Sequence, residues 1–507
     1  MPKRTAIIDI GSNSARLVIY EKTGRYGFHL ICEQKSKVRI GEGAYEQNGY
    51  LQPIGIRRAF LALQSFLQTI RKYQTKKIVC VATSALRDAP NGDIFVRWVK
   101  RELGLAIKII DGNEEATYGA IAVKNLLPVS QTVTIDIGGG STDMALIDRG
   151  EILDTFSLNI GTVRLKELFF DKLPRKEAHK EAVQFVKREL ERLPAHFRSA
   201  VAVGIGGTAR TLSKGVMKRI DYPLDKLHAF RYDIQTHKDY LEAIGRSSAK
   251  GLKKFHLKKN RYDTIREGSI IWLAVLTHIG AKSVVTSSVG VREGVFLSRL
   301  LKHNALRFPK EINPSVVSLL DRFKTYVNIA SKRKHKRKLA SALYRLFQCE
   351  INDNMRYDYE LQTALKLSNI GKTLTIYRSH QHAFYIAMQE LHYGFTHEQI
   401  ILIAMLLRMH GKSLLHKPLF ESFETMLPPK EILLWLSFIY TISVFLHEAS
   451  NDANIRFTYE NRTLRIISDK PLYLAKEKIK TLEKPIPFAV IIEDEERLPK
   501  CKELGIS

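Results

Sequence analysis

With 507 residues and 80 Lys and Arg against 52 Asp and Glu, the chain carries a formal charge of +28 and is long enough for three or four domains, each with a sizeable core. That excess points to a polyanionic partner, whether nucleic acid, an anionic membrane surface or a phosphate-rich substrate, and composition does not choose among them. Cys32, Cys80, Cys349 and Cys501 are scattered and form no Cys-x-x-Cys pair, so neither a zinc site nor a disulfide framework is signalled, and a reducing cytoplasm is the simplest setting.

Met1-Pro-Lys-Arg-Thr5 passes directly into a strand, leaving no room for a cleavable signal peptide. Residues 5–34 read as three strands, with Gly24 and Gly27 marking the turn between the second and third. The first turn is Asp9-Ile-Gly-Ser-Asn-Ser14, rich in hydroxyls. Ala59, Phe60, Leu63, Phe66, Leu67 and Ile70 recur at helical spacing. Ile78 to Ala82 is a short apolar strand ending in Thr83-Ser-Ala-Leu-Arg-Asp88, where hydroxyls suit a helix N-cap. Ile107 to Ile110 is another strand, and Asp111-Gly-Asn113 leads into a helix beginning near Glu114. This alternation predicts a mainly parallel sheet with covered faces and functional residues on the loops at strand ends.

Leu126 to Ser130 reads as a hinge, beyond which the pattern repeats: strands at 131–137, 142–148 and 151–159, a charged amphipathic helix around 176–193 and a strand at 200–204. The first of these strands runs into Asp136-Ile-Gly-Gly-Gly-Ser-Thr-Asp143. Gly138, Gly139 and Gly140 are expected to use φ > 0 to converge backbone N–H groups on an anion, and Asp136 and Asp143 could offer oxygens to a hard divalent cation carried by the phosphate. The echo of Asp9-Ile-Gly in Asp136-Ile-Gly implies two related halves.

A third glycine and hydroxyl turn, Gly204-Ile-Gly-Gly-Thr-Ala-Arg210, follows. After it come a basic stretch at 250–261, a strand at Ser283 to Thr286, and Ser288-Val-Gly-Val-Arg-Glu-Gly294 leading into a helix. From about residue 304 the character is helical, with a dense basic run at 332–338. The uncharged run Ile432 to Leu446 is short for a membrane span and reads as a buried helix. Ile455 to Tyr459, Thr463 to Ile467 and Phe488 to Ile492 look β-rich.

Six motifs in order, Asp9 to Ser14 with Arg16, Thr83 to Arg87, Asp111-Gly-Asn-Glu-Glu-Ala116, Asp136 to Thr142, Gly206-Gly-Thr208 and Gly290-Val-Arg-Glu-Gly294, resemble the exopolyphosphatase / guanosine pentaphosphate phosphohydrolase (Ppx/GppA) family over roughly residues 5–300. The resemblance implies an α/β fold. Its parts would be a duplicated actin-like (ribonuclease H-like, ASKHA) core at 1–127 and 128–303, a helical HD-like domain at 304–450 and a small C-terminal α+β unit at 451–507. It implies a cytoplasmic homodimer, without membrane insertion or specific nucleic-acid binding. With Mg²⁺ as cofactor, this protein would release terminal orthophosphate processively from inorganic polyphosphate or take the 5′-γ-phosphate from guanosine pentaphosphate. An ATP-dependent phosphotransferase of the same superfamily and a non-catalytic polyphosphate or alarmone-binding regulator are the alternatives.

The resemblance makes Glu115, the second glutamate of Glu-Glu-Ala, the catalytic base, with Arg87 in the catalytic set beside it. Glu114 points about 100° away on the same helix, so only one of the two readily faces a cleft; otherwise both would merely favour a helix N-terminus. Asp136 and Asp143 are the expected metal ligands. The family commonly has Glu at the position of Asp143, so a water bridging that shorter side chain to the metal is expected. Ser12, Asn13, Ser14, Gly139, Gly140, Ser141, Thr142, Gly207 and Thr208 are expected to bind phosphate, with Arg16 and Arg87 adding charge-assisted bonds. Arg87 is the stronger of the two, because Arg16 lies in a strand, where a solvated surface residue is ordinary. Arg292 is expected to be structural, paired with Glu293 or another carboxylate. The stretches 250–261 and 332–338 are either a track for a long polyanion or solvated faces. Ser368-Asn369 stand where the family's His-Asp pair would be, so His380, His382 and His410 are expected as packed histidines rather than metal ligands.

Overall fold

In the computed structural model, which describes residues 3–44, 47–323, 333–409, 417–450 and 452–494, the turn at Gly11 to Ser14 is too short for a crossover. The strands it joins, β1 (Lys3–Ile10) and β2 (Ala15–Lys22), therefore pair antiparallel, and β3 (Phe28–Ser36) continues the meander. On its other edge β1 pairs in parallel with β4 (Lys77–Ala82), reached through α1 (Pro53–Lys72). The short α2 (Ser84–Arg87) and α3 (Gly92–Leu103) lead on to β5 (Ile107–Ile109), completing the order β3-β2-β1-β4-β5.

The second half repeats the plan. β6 (Thr132–Ile137) and β7 (Thr142–Asp148) form a hairpin continued by β8 (Glu151–Leu158), while β9 (Val201–Ile205) lies parallel to the other edge of β6. β10 (Arg231–Asp233) and β11 (Ser283–Thr286) complete the order β10-β11-β9-β6-β7-β8. Both sheets are thus mixed, which corrects the expectation of a mainly parallel sheet. The physical reason is the short turn in each half, since only the connections carrying helices can return a strand in parallel.

Helix α4 (Gly112–Leu126) joins the halves. Its residues Ile121, Ala122 and Leu126 pack with Ile7, Val18 and Val81 of the first sheet, while Ala120 and Val123 pack with Ala145, Val203 and Ile205 of the second. The N-terminus of α4 is fixed by Asp111, whose carboxylate accepts from Glu114 N at 2.7 Å. Helix α10 (Val291–Leu300) packs on α4 so closely that a Cβ on Gly294 would lie 1.9 Å from the Tyr118 carbonyl oxygen. Beyond the short α5 (Thr162–Leu165), the face of the second sheet away from α4 is covered by α6 (Arg175–Leu190), α7 (Gly206–Arg219), α8 (Ile234–Arg246) and α9 (Ile265–His278).

Residues up to Pro314, together with His392 to Gly394, form one compact unit, and the rest of the chain forms the other. In the second unit the strands β12 (Ile455–Glu460), β13 (Thr463–Ser468) and β14 (Ala489–Asp494) share a core with the helices: Leu464, Ile466 and Phe488 join Trp435 and Phe438. Helix Lys430–Ala449 is long and apolar enough to cross a membrane, and it is mostly buried here as a core helix. His380 and His382 lie on the helix Ser379–Glu390, and His410 lies outside the described residues. Lys336, within the basic run whose first residue is also outside them, is buried and donates to Ser368 Oγ at 2.5 Å. That run is therefore not a uniformly solvated face. Among the described residues no group of three or more His, Cys, Asp or Glu stands ready to hold a metal.

Candidate active site

Between the two halves of the first unit lies a cavity of about 160 Å³, room enough for a phosphoryl group. The first half contributes Asp9, Ser12, Asn13, Ser14 and Arg16, and the second contributes Asp136, Gly139, Ser141, Gly207 and Thr208. Glu115, on the first turn of α4, closes the space. Of the residues expected to bind phosphate, Gly140 and Thr142 stand outside this wall. Thr142 is buried and donates its hydroxyl to the Ile160 carbonyl at 2.7 Å, while the Gly140 carbonyl accepts from Arg164 Nε at 3.1 Å.

The glycines work differently from the expectation. Gly138, Gly139 and Gly140 do not use positive φ, which among the glycines of the three turns belongs to Gly206 at +77°. A Cβ there would also meet Asp136 Oδ1 at 2.1 Å. Gly139 is needed for close approach, because a Cβ would sit 2.9 Å from Ser12 Cβ in the opposite half. Gly161 serves the same end, its missing Cβ leaving room for the Gly139 carbonyl oxygen at 2.3 Å. Helix α7 begins at Gly206 with no side-chain cap, so its first N–H groups face the cavity with the positive end of the helix dipole behind them.

Four carboxylates crowd this space, and burial raises each of their pKa values. Glu115 is pushed well above the usual carboxylate range by burial and then by the charges of Asp143, Asp136 and Asp9, with Arg87 opposing. Asp136 rises to about 6 through burial, which outweighs Arg210. Asp143 rises to about 7 through burial, against the hydrogen bond it accepts from Ser157. Asp9 is raised mainly by burial. The side chain of Asp143 does not line the cavity: it accepts from Ser157 Oγ at 2.5 Å and from Ser141 Oγ at 3.1 Å. Asp136 and Asp9 do line it, and their hard oxygens suit Mg²⁺, which commonly takes only one or two carboxylates with phosphate oxygens and water.

Arginines balance those acids from positions that sequence reasoning ordered differently. Arg87 stands behind Glu115 rather than in the cavity wall, with Nη1 3.7 Å from Glu115 Oε2 and donating to the Ile110 carbonyl at 3.3 Å. Arg16 lines the wall and lies beside Glu33, whose Oε1 is 3.5 Å away. Arg292 is both structural and in the wall, donating to the same Glu33 oxygen at 2.9 Å. Arg210 and Arg261 line it too, unanticipated as site residues. Arg210 donates to the Ser287 carbonyl at 2.8 Å and the Val289 carbonyl at 3.3 Å, and burial next to Arg292 and Arg16 lowers its pKa to about 10. Its signal in the sequence was its place at the end of the third turn, one helical turn from Gly207.

Two matched half-domains closing hydroxyls, helix N-terminal amides and arginines on one oxyanion-sized space define a phosphate-handling member of the actin-like class. The model of the Ppx/GppA phosphatase family matches residues 18–303, and that of Ppx/GppA phosphatase domain III matches 314–481. The chain belongs to the Ppx/GppA phosphatase family. It is 31% identical over 300 residues to a bifunctional 3-dehydroquinate synthase/phosphatase of Fusobacterium nucleatum, a match taking in 56% of this chain and only 44% of that relative's length. The crystal structure of the Aquifex aeolicus member of the Ppx/GppA family is similar at 29% identity and a TM-score of 0.51, over 60% of this chain and 99% of that one. An exopolyphosphatase structure from Cytophaga hutchinsonii shares the fold at 21% identity and a TM-score of 0.54, over 59% of this chain and 98% of the other.

Proposed function

We propose that the chain is a phosphohydrolase that removes a terminal phosphoryl group from inorganic polyphosphate or the 5′-γ-phosphate from guanosine pentaphosphate, with Glu115 as the base. The observation that carries this reading is Glu115 Oε2, buried without a hydrogen-bond partner and 3.7 Å from Arg87, at a cavity sized for a phosphoryl group. A buried carboxylate oxygen left unpaired is costly, and its use is to accept a proton from a water that a bound substrate would hold in line. The ring of Ser12, Ser14, Ser141, Thr208 and the α7 amides would hold the phosphoryl oxygens, and Arg16, Arg210 and Arg292 would offset their charge.

Asp136 and Asp9 would hold Mg²⁺ where the substrate's oxygens enter, and the ion would supply charge neutralisation for the departing phosphate. A cation there also answers the repulsion among the buried acids. It would favour the ionised form of Glu115, which a base needs. Asp143 would act through the two serines it orients.

Arg210, Arg261 and the wider basic surface support a substrate with several negative charges. A cytoplasmic setting and a homodimer belong to the same proposal. The test is orthophosphate release from long-chain polyphosphate and from guanosine pentaphosphate in Mg²⁺, by wild type and Glu115→Gln. Release by the wild type and loss in the variant support the reading; undiminished release by the variant removes Glu115 as the base.

A further inference from the structure

Two arginines of the phosphate cavity, Arg16 and Arg292, share a carboxylate that the proposed chemistry leaves unused, that of Glu33. In the β2–β3 pairing Arg16 faces Lys35, which places Glu33, two residues earlier on the same face of β3, diagonally across from Arg16. Arg292 reaches the same carboxylate from the first turn of α10. Its neighbour Glu293 fixes that turn, accepting from Gly290 N at 2.7 Å and from the Tyr20 hydroxyl of β2 at 2.5 Å. Successive residues of α10 are thus tied to successive strands, Glu293 to β2 and Arg292 to β3.

The two guanidiniums do not share the carboxylate equally. Both donate to Oε1, Arg292 Nη1 from 2.9 Å and Arg16 Nη1 from 3.5 Å, the outer limit of a hydrogen bond. Arg292 is buried, whereas nearly half of the Glu33 side chain is exposed. Burial works to raise the Glu33 carboxyl, but Arg292, Arg16 and Arg210 outweigh it and hold it below its ordinary value, so the group is an anion at neutral pH. Burial and the charge of Arg292 disfavour a charged Arg16, and Glu33 and Asp9 oppose them. A carboxylate held in this way stands where an oxygen of a phosphate would serve as well. Its long bond to Arg16 can be exchanged for a shorter one, while the bond to Arg292 keeps it in place.

We propose that Glu33 is a resident anion of the phosphate cavity: it holds Arg16 and Arg292 in the empty site, cedes Arg16 to an arriving phosphoryl group, and competes for that arginine again with the orthophosphate that hydrolysis leaves. This rests on the reading of the cavity as the place of hydrolysis, and it adds a means of letting the product go. Glu33 acts through Arg16 and is a positioning residue, not a catalytic one.

Glu33→Gln keeps an acceptor oxygen of the same reach and removes the charge. When inorganic phosphate is titrated into wild type and variant in Mg²⁺ and followed by calorimetry, the variant should bind about fivefold more tightly, a modest gain because the carboxylate is half exposed. In steady-state hydrolysis of polyphosphate, the inhibition constant for phosphate should fall by the same factor. In an Arg16→Ala background the gain should vanish, since the competition runs through that side chain. Unchanged or weaker binding of phosphate by Glu33→Gln overturns the proposal, because a residue that merely supported the wall would weaken binding when altered. A gain that survives intact beside Arg16→Ala overturns the assigned route.

The calorimetry needs no turnover. A protein whose phosphate affinity depends on Glu33 but which hydrolyses nothing would sink the proposed function and leave this inference standing. Hydrolysis with a phosphate affinity indifferent to Glu33 would do the reverse. If Glu33→Gln fails to fold, Glu33→Thr, an uncharged acceptor suited to a strand, is judged by the same ratio.

Discussion

The two phosphate turns are built on the same hairpin and carry opposite electrostatics. In the first half the cross-strand partner of Asp9 is Arg16, and in the second the matching partner of Asp136 is Asp143. An acid facing a base is self-compensating, and Arg16 remains available at the cavity wall. An acid facing an acid is not: burial and then the Asp136 charge raise the pKa of Asp143 to about 7, against the hydrogen bonds it accepts from Ser157 and Ser141. The same hairpin thus occurs twice, and the residue facing its aspartate on the second strand differs: Arg16 in one copy, which reaches the cavity wall, and Asp143 in the other, which does not.

The largest expected effect is on the group that both halves surround. Glu115→Gln should lower kcat by about a thousandfold, the scale of a positioned base. It should also raise Tm. Folding holds a proton on Glu115 that the unfolded chain releases, so native stability falls as pH climbs from the ordinary glutamate value of 4.5 towards the raised folded one. The gain in Tm should therefore be greater at pH 8 than at pH 5, and a gain independent of pH would contradict the assigned cause. For the same reason the acid limb of the pH–rate profile should rise as the carboxyl loses its proton.

Asp136→Asn should cost about a hundredfold in kcat and weaken the dependence on Mg²⁺, measured by metal titration. Arg16→Ala should act mainly on KM, raising it about tenfold, since it removes a charge-assisted contact but none of the acids. If Arg16→Ala lowered kcat as much as Asp136→Asn does, the division of labour between the halves would be lost. The smallest effect is expected of Asp143→Asn. With one buried charge gone, Glu115 should ionise more readily and the acid limb should move to lower pH, while kcat falls only about fivefold. An unmoved limb would show that Asp143 does not act on Glu115.

Much of this was readable in advance. The β-branched strands and their glycine and hydroxyl turns stood out because local composition determines both, and the repeat of Asp-Ile-Gly exposed the duplication. The mixed sheets follow from the shortness of the turns, a signal that the alternation of strands and helices masks. What could not be read was pairing across distance. Glu33 lies 259 positions from Arg292, and nothing local announces that its carboxylate holds Arg292 and neighbours Arg16. The places of Arg87 and Arg16 were hidden for a similar reason: the first lies beside Glu115 outside the cavity wall and the second lines it. The role of Gly139 as a point of contact with Ser12 belongs to the docking of the halves, which no single turn encodes.

Arg210 has its own consequence. It is held by the carbonyls of Ser287 and Val289, so its charge is oriented without being cancelled. A cation kept in that way does not distinguish an arriving substrate from the orthophosphate left behind by the previous one. Under the proposed hydrolysis, free phosphate and sulfate would compete for the cavity, and turnover would slow as product accumulates. The occupancy of the cavity would then follow the phosphate level around it.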